Sequence, residues 1–214
     1  NIFVKSVRAA ERVMESVSRW LENKLRLKVS PTKTKVVGPN ESEFLGFGFY
    51  RDAHGWQCKP SKSRKQRLMN KVKDVTKRNK ATAMPLHVTF NKANSIVRGW
   101  INYFKIGKMK GFMKEFGEWL RHKMRVVIVK QWKRPRTIYK NLQKLNRQSK
   151  CNLSDEDIFA AANSRLGWYR KTGMMTYNFL LSPKVLSMSN RERQGLVNPL
   201  EYYNQAWEKF LLTL

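Results

Sequence analysis

Val7, Ala10, Val13, Met14, Val17, Trp20, Leu21 and Leu25 recur at three- and four-residue steps, the spacing that gathers side chains on one face of a helix. The pattern predicts a helix over 7–27, with Ser6 as its N-cap. Before it, IFVK at 2–5 is led by β-branched and aromatic residues and predicts the end of a buried strand. After it, Pro31 in SPTKT breaks the helical period. KVVG at 35–38 predicts a short strand, and FLGFGFY at 44–50 alternates ring and glycine at the strand period of two. DAHG at 52–55 has turn chemistry, and WQCK returns as a hairpin partner. The first 60 residues therefore predict strand, helix, strand and hairpin.

From residue 62 the period turns helical. Leu68, Val72 and Val75 predict one helix. Ala93, Ile96, Val97, Trp100, Ile101 and Phe104 predict a second that ends at Gly107. Phe112, Met113, Phe116, Trp119, Leu120, Met124 and Val127 predict a third, weakened at its far end by the β-branched run 126–129. Pro135 marks a boundary, and residues 137–145 predict a short helix. SDED at 154–157 is a capping box, with Ser154 as cap and Asp157 three residues on, and predicts a helix through about 168. Beyond Pro183 and Pro199 a last helix is predicted near 200–212, and no internal repeat is visible. The fold class expected is α+β, predominantly helical.

Charge changes the picture from architecture to partner. The 214 residues hold 44 Lys and Arg against 15 Asp and Glu, a formal net charge of +29. Residues 1–56 hold ten basic and six acidic side chains, 57–150 hold twenty-seven and three, and 151–214 hold seven and six. Charge kept for general solubility would spread evenly, whereas this excess sits in the middle, as a polyanion-binding surface requires. No apolar run approaches the roughly 18 residues of a membrane span. The chain opens on Asn1 rather than Met, as a piece of a longer protein would, and shows no signal-peptide pattern. Cys58 and Cys151 have no CxxC partner, and His54, His87 and His122 are scattered, so a four-ligand zinc site is not expected. The two cysteines read as reduced intracellular thiols.

RGWINYFKIGKMK at 98–110 interleaves Trp100, Tyr103 and Phe104 with four basic residues, Arg98, Lys105, Lys108 and Lys110. Trp100 and Phe104 align with Ile96, Val97 and Ile101 as a core stripe, while Tyr103 lies toward its edge. On the next helix Lys110, Lys114, Arg121 and Arg125 step by four, seven and four and form one stripe opposite Phe116, Trp119 and Val127. Glu115 and Glu118 are the acids on that helix. Salt bridging within the helix therefore cannot account for the stripe, and phosphate contact is the expectation.

NIFVKS, the helix running into WLENKLRLKVSPTKTKVV, then FLGF, then RGWINYF followed by a basic amphipathic helix resemble, along most of the chain, a group II intron reverse transcriptase/maturase. The resemblance implies the end of a polymerase palm with a primer-grip hairpin at 1–60, a three-helix thumb or maturase X domain at 62–133, and a C-terminal nucleic-acid-binding region at 134–214. It implies an RNA-binding and DNA-binding protein that assists intron splicing and retrohoming in the bacterial cytoplasm or nucleoid. Its implied partners are intron RNA, an RNA–DNA primer–template or target DNA, and the fingers and remaining palm. A stand-alone splicing factor descended from such an enzyme is an alternative, and an unrelated basic ribosome-associated protein is another.

The family's YADD-type turn, whose aspartates hold two magnesium ions, would lie directly before Asn1, and an HNH-type endonuclease domain found in some relatives has no counterpart. Two-metal nucleotidyl transfer needs clustered carboxylates, and Asp155, Glu156 and Asp157 are explained as helix-start residues. The chain is therefore expected not to polymerise by itself and to need no cofactor, Mg2+ belonging to the complete polymerase.

By resemblance Lys33 matches a lysine placed near the leaving pyrophosphate, with a surface lysine as the alternative. Phe44, Leu45, Gly46 and Phe47 match the primer grip. The expected nucleic-acid contacts are Lys33, Lys35, Arg64, Lys65, Lys71, Arg98, Lys105, Lys108, Lys110, Lys114, Arg121, Arg125, Lys130, Lys133, Arg134, Arg136 and Lys140. Trp132 and Tyr139, in the dense basic segment 130–140, are candidates for stacking on bases, with core packing equally open for Trp132.

Overall fold

The computed structural model describes residues 1–149, 151–189 and 194–213. The described residues form a predominantly helical α+β protein with eleven α-helices and one three-stranded antiparallel sheet. They fall into two compact units, Asn1–Ser61 and Lys62–Leu214.

In the first unit, helix α1 spans Val7–Leu25. Ser6 caps it, its hydroxyl accepting from the Ala9 N–H at 3.2 Å. Arg26 ends it in the left-handed region at φ 54°, and the Leu27 N–H returns to the Leu21 carbonyl at 3.2 Å. Strands β1 (Glu43–Phe44), β2 (Phe47–Asp52) and β3 (Gly55–Pro60) pair in that order. Asp52 sits opposite Gly55, and its carboxylate accepts from the His54 N–H at 2.8 Å. The hairpin holds this unit's buried positions, Gly46, Phe47 and Pro60, while no residue of α1 is buried.

Three sequence expectations change here. IFVK is not a strand, although Phe3 meets the Phe49 ring edge-on at 6.4 Å. KVVG is not a strand either. β-propensity makes a strand only where a neighbour supplies the ladder, and the hairpin strands pair with one another. FLGFGFY is not one continuous strand: Leu45 and Gly46 turn the chain at φ 51° and 87°, and pairing resumes at Phe47. Positive φ at both central residues is the geometry of the tight turn that matches strand twist.

The second unit is built on α2 (Lys62–Val75), α3 (Arg78–Ala81), α4 (Leu86–Phe104) and α5 (Lys110–Trp132). Leu68 and Val72 of α2, Phe90, Val97 and Ile101 of α4, and Met113, Phe116, Leu120 and Met124 of α5 are buried. α4 begins seven residues before the predicted apolar run because Thr89 and Phe90 also face inward. The β-branched run does not weaken α5. Val127, Ile128 and Val129 are all buried, and their packing outweighs the modest loss in helix propensity.

Helices α6 (Pro135–Ser149), α7 (Asp155–Asn163), α8 (Trp168–Thr172), α9 (Met175–Leu180), α10 (Pro183–Ser187) and α11 (Pro199–Leu211) complete the unit. Pro135 opens α6 rather than merely bounding it, since a first-turn proline gives up no helical hydrogen bond. The Ser154 cap forms as expected, accepting from the Asp157 N–H at 3.1 Å. α7 stops at Asn163 instead of 168, and Gly167 caps the separate α8.

Residues 134–214 lie within the same compact unit as 62–133. The buried Asn94 side chain clamps the approach to α11: it donates to the Gly195 carbonyl and accepts from the Val197 N–H, both at 2.8 Å. The Tyr203 hydroxyl of α11 donates to the Gly107 carbonyl at 2.9 Å.

Candidate nucleic-acid interface

The basic residues of the second unit divide into those the fold uses and those it leaves on the surface. Lys71, Lys108, Lys110, Lys114, Lys133, Arg134, Arg136 and Lys140 are exposed. Lys110 and Lys114 share one face of the first turns of α5, and Lys133 and Arg134 form the turn into α6. Lys71 joins Arg67, Gln66 and Asn70 along an open groove of about 690 Å³ that Val75 and, from α4, Ile96 also line.

Other predicted contacts are braced against rings. The Lys65 ammonium lies 5.0 Å from the centre of Phe112, Lys105 lies 5.7 Å from Phe210, and the Arg98 guanidinium lies 5.8 Å from Tyr202. Such cation–π contacts fix a long side chain without neutralising it. With the Gln194 amide turned to present its oxygen, both terminal nitrogens of Arg98 also donate to it, at 3.1 and 3.2 Å. Arg64 is half-buried.

The four-residue stripe on α5 does not stay on the surface. Arg121 is half-buried, and burial lowers its pKa against the raising influence of Glu118 and Glu201. Arg125 is only 8% exposed. Its Nε donates to the Leu181 carbonyl at 3.0 Å and a terminal nitrogen donates to the Asn178 side-chain oxygen. Burial, with a smaller push from Arg121, takes its pKa down to about 10. Helical spacing aligned Arg125 with Lys110 and Lys114, but the segment carrying α9 covers that end of the stripe. Arg125 therefore holds a helix junction and does not present its guanidinium to a ligand.

In the segment 130–140, Trp132 is half-buried. The Tyr139 hydroxyl is committed, donating to Asp155 Oδ2 at 2.5 Å and accepting from the Gln143 amide at 2.8 Å. That hydrogen bond raises the Tyr139 pKa and, with Gln143, lowers that of Asp155. Lys130 lies on the other side of α5, 6.0 Å from the Trp168 ring centre.

In the first unit Lys33 and Lys35 are exposed in a turn closed by the Lys33 and Thr34 N–H groups on the Ser30 carbonyl, at 3.2 and 3.0 Å. At the hairpin tip Phe44 and Leu45 are exposed while Gly46 and Phe47 are buried. The Gly46 carbonyl accepts from the Ser61 N–H at 2.9 Å. Among the described residues no three His, Cys, Asp or Glu side chains converge as a metal site, and no helix is long and apolar enough to cross a membrane.

Sequence reading passed over one cluster. Lys73, Lys77 and Arg78 meet Lys123 and Tyr169 around a cavity of about 340 Å³. Lys123 sits about 220° around α5 from Lys110 at 100° per residue. That angle was legible, but the pairing of α5 with the end of α2 was not.

Compared with protein families, residues 65–148 match the group II intron, maturase-specific domain. No curated protein matches the chain. The matched stretch carries twenty-three of the 44 basic residues and three of the 15 acidic ones.

Proposed function

We propose, from the match of residues 65–148 to the group II intron, maturase-specific domain, that this chain grips intron RNA through the exposed cations of the matched stretch. That match supports a role in the splicing of group II introns. The observation that carries the finer reading is the charge ratio: twenty-three basic side chains against three acidic ones, over a core of Phe90, Phe116 and Leu120. A fold needs the apolar core but gains nothing from so one-sided a surface, whose self-repulsion a polyphosphate relieves.

Lys71, Lys108, Lys110, Lys114, Lys133, Arg134, Arg136 and Lys140 contact phosphates and read the shape of folded RNA rather than its sequence. Lys65, Arg98 and Lys105 add charge from positions steadied by rings. Arg121 is a partial contributor, and Arg125 supports the scaffold. In the first unit, the Phe44–Phe47 tip braces a primer end and the exposed Lys33 and Lys35 contact phosphate, in a polymerase whose metal-binding carboxylates belong to other segments. Primer–template or target DNA binding and retrohoming follow from that role, and residues 1–60, 62–133 and 134–214 serve as palm end, thumb and C-terminal binding region.

Binding of a group II intron transcript across a salt series tests this reading. With six to ten phosphate contacts, affinity falls by roughly 10³–10⁵ between 50 and 200 mM salt. An affinity that barely changes over that range overturns it.

A further inference from the structure

The cavity between the end of α2, α3, α5 and α8 is a cationic niche with a defined build. Lys73, Lys77 and Arg78 enter from one wall, Lys123 from the other, Tyr169 from a third, and Val126 lines the wall beside Lys123. Lys123 is held in place: its ammonium lies 5.1 Å from the centre of Tyr169 and 5.8 Å from that of Trp119. Tyr169 is itself fixed, its ring stacked on His122 at 3.9 Å and its carbonyl 2.8 Å from His122 Nε2. Among the described residues no carboxylate lines the cavity; Asp74, outside the lining, pairs with Lys77 at 2.7 Å and Lys80 at 3.7 Å.

The remaining cations repel one another. Burial and the charge of Lys73 both lower the Lys123 pKa, and Lys130 nearby is lowered by burial and by Arg78. Folding has packed like charges together and braced one of them with rings, around about 340 Å³ of space. One water takes about 30 Å³, so a phosphate group with attendant waters fits.

We infer that this niche is a second phosphate-backbone site, so that the domain holds two stretches of RNA strand on opposite sides of α5. The inference rests on the reading that the domain binds intron RNA, and it adds where the second strand passes. Lys110 and Lys114 serve one face; Lys123 and Lys130, about 220° and 200° around the helix from Lys110, serve the other. Two such tracks suit a folded RNA, whose backbones approach from two directions, better than a single extended strand.

The test uses the full chain and a group II intron transcript, and compares Lys73→Gln/Lys123→Gln with Lys110→Gln/Lys114→Gln. Each lost phosphate contact reduces the salt slope by about one. Each double variant should therefore lose about two, and their combination about four, since separated sites add. The niche variant should also melt no lower than the wild type, because two repelling charges are gone.

An unchanged slope for the niche variant, with a reduced slope for the other, overturns the second site and leaves the proposed function standing. Unchanged slopes for both overturn the proposed function itself. Inorganic phosphate at matched ionic strength separates the sources of the ligand. A backbone site gives no rise in melting temperature, whereas a rise that the niche variant abolishes assigns the niche to free phosphate and overturns the inference. Should the niche variant fold poorly, Tyr169→p-benzoylphenylalanine in the otherwise native chain crosslinks the transcript on irradiation, and no crosslink refutes the site.

Discussion

Arg125→Ala separates a structural cation from a ligand-binding one. Truncation of Arg125, itself 8% exposed, removes the guanidinium from the buried Leu181 carbonyl and from the exposed Asn178 side chain. Hydrogen bonds from a charged donor contribute about 1.5–3 kcal/mol each, and an orphaned buried acceptor costs a similar amount. Against this, burying the guanidinium is itself unfavourable, as its depressed pKa shows. The net loss should be about 2–4 kcal/mol, below the sum of the two bonds. For a unit of this size each kcal/mol moves the midpoint by about 2–4 °C, so the melting temperature should drop by roughly 4–16 °C. The assay pairs a thermal melt by circular dichroism with the salt dependence of intron-RNA binding measured well below the melt. Lys114→Ala is the comparison: it should leave the melt within a degree or so and reduce the salt slope by about one. An Arg125→Ala variant that melts like the wild type and loses a unit of salt slope would refute the assignment of Arg125 to the scaffold.

Three further outcomes follow from the same geometry. Gly195→Ala should lower the melting temperature, because an added Cβ would lie 1.8 Å from the Ser187 carbonyl oxygen at the point where Asn94 clamps the chain. Tyr139→Phe should flatten the acid limb of stability: the Asp155 carboxylate is held below its ordinary range by Tyr139 and Gln143. Its contribution is therefore full above the ordinary aspartate pKa and lost as pH falls through the depressed one, which a pH series of melts with and without the substitution reads directly. This chain with Mg2+, a primer–template and deoxynucleotides should incorporate none, and primer extension above background would show that carboxylates outside any cluster suffice.

The long helices were legible from their helical period: α2, α4 and α5 bury the apolar face that announced them, and α1 carries the same period although none of its residues is buried. The Ser154 cap was legible because its chemistry is local. Strands were legible only where a turn brought a partner, at Asp52–Gly55. IFVK and KVVG carry strand composition without a ladder, and no single-strand pattern reveals that. Spacing set Arg125 beside Lys114, yet only the packing of Asn178 and Leu181 decides that one is inside and the other outside. The niche around Lys123 was hidden for the same reason, because four of its lining residues lie between 73 and 78 and meet α5 only through the fold.

The central claim is that the exposed lysines leading into and along the first turns of α5 touch RNA phosphate. Lys108→Gln/Lys110→Gln/Lys114→Gln, compared with the wild type on one intron transcript over a salt series, measures it. A slope reduced by about three, with an unaltered melt, is the predicted result. Parallel lines, with the same slope in both proteins, would contradict it.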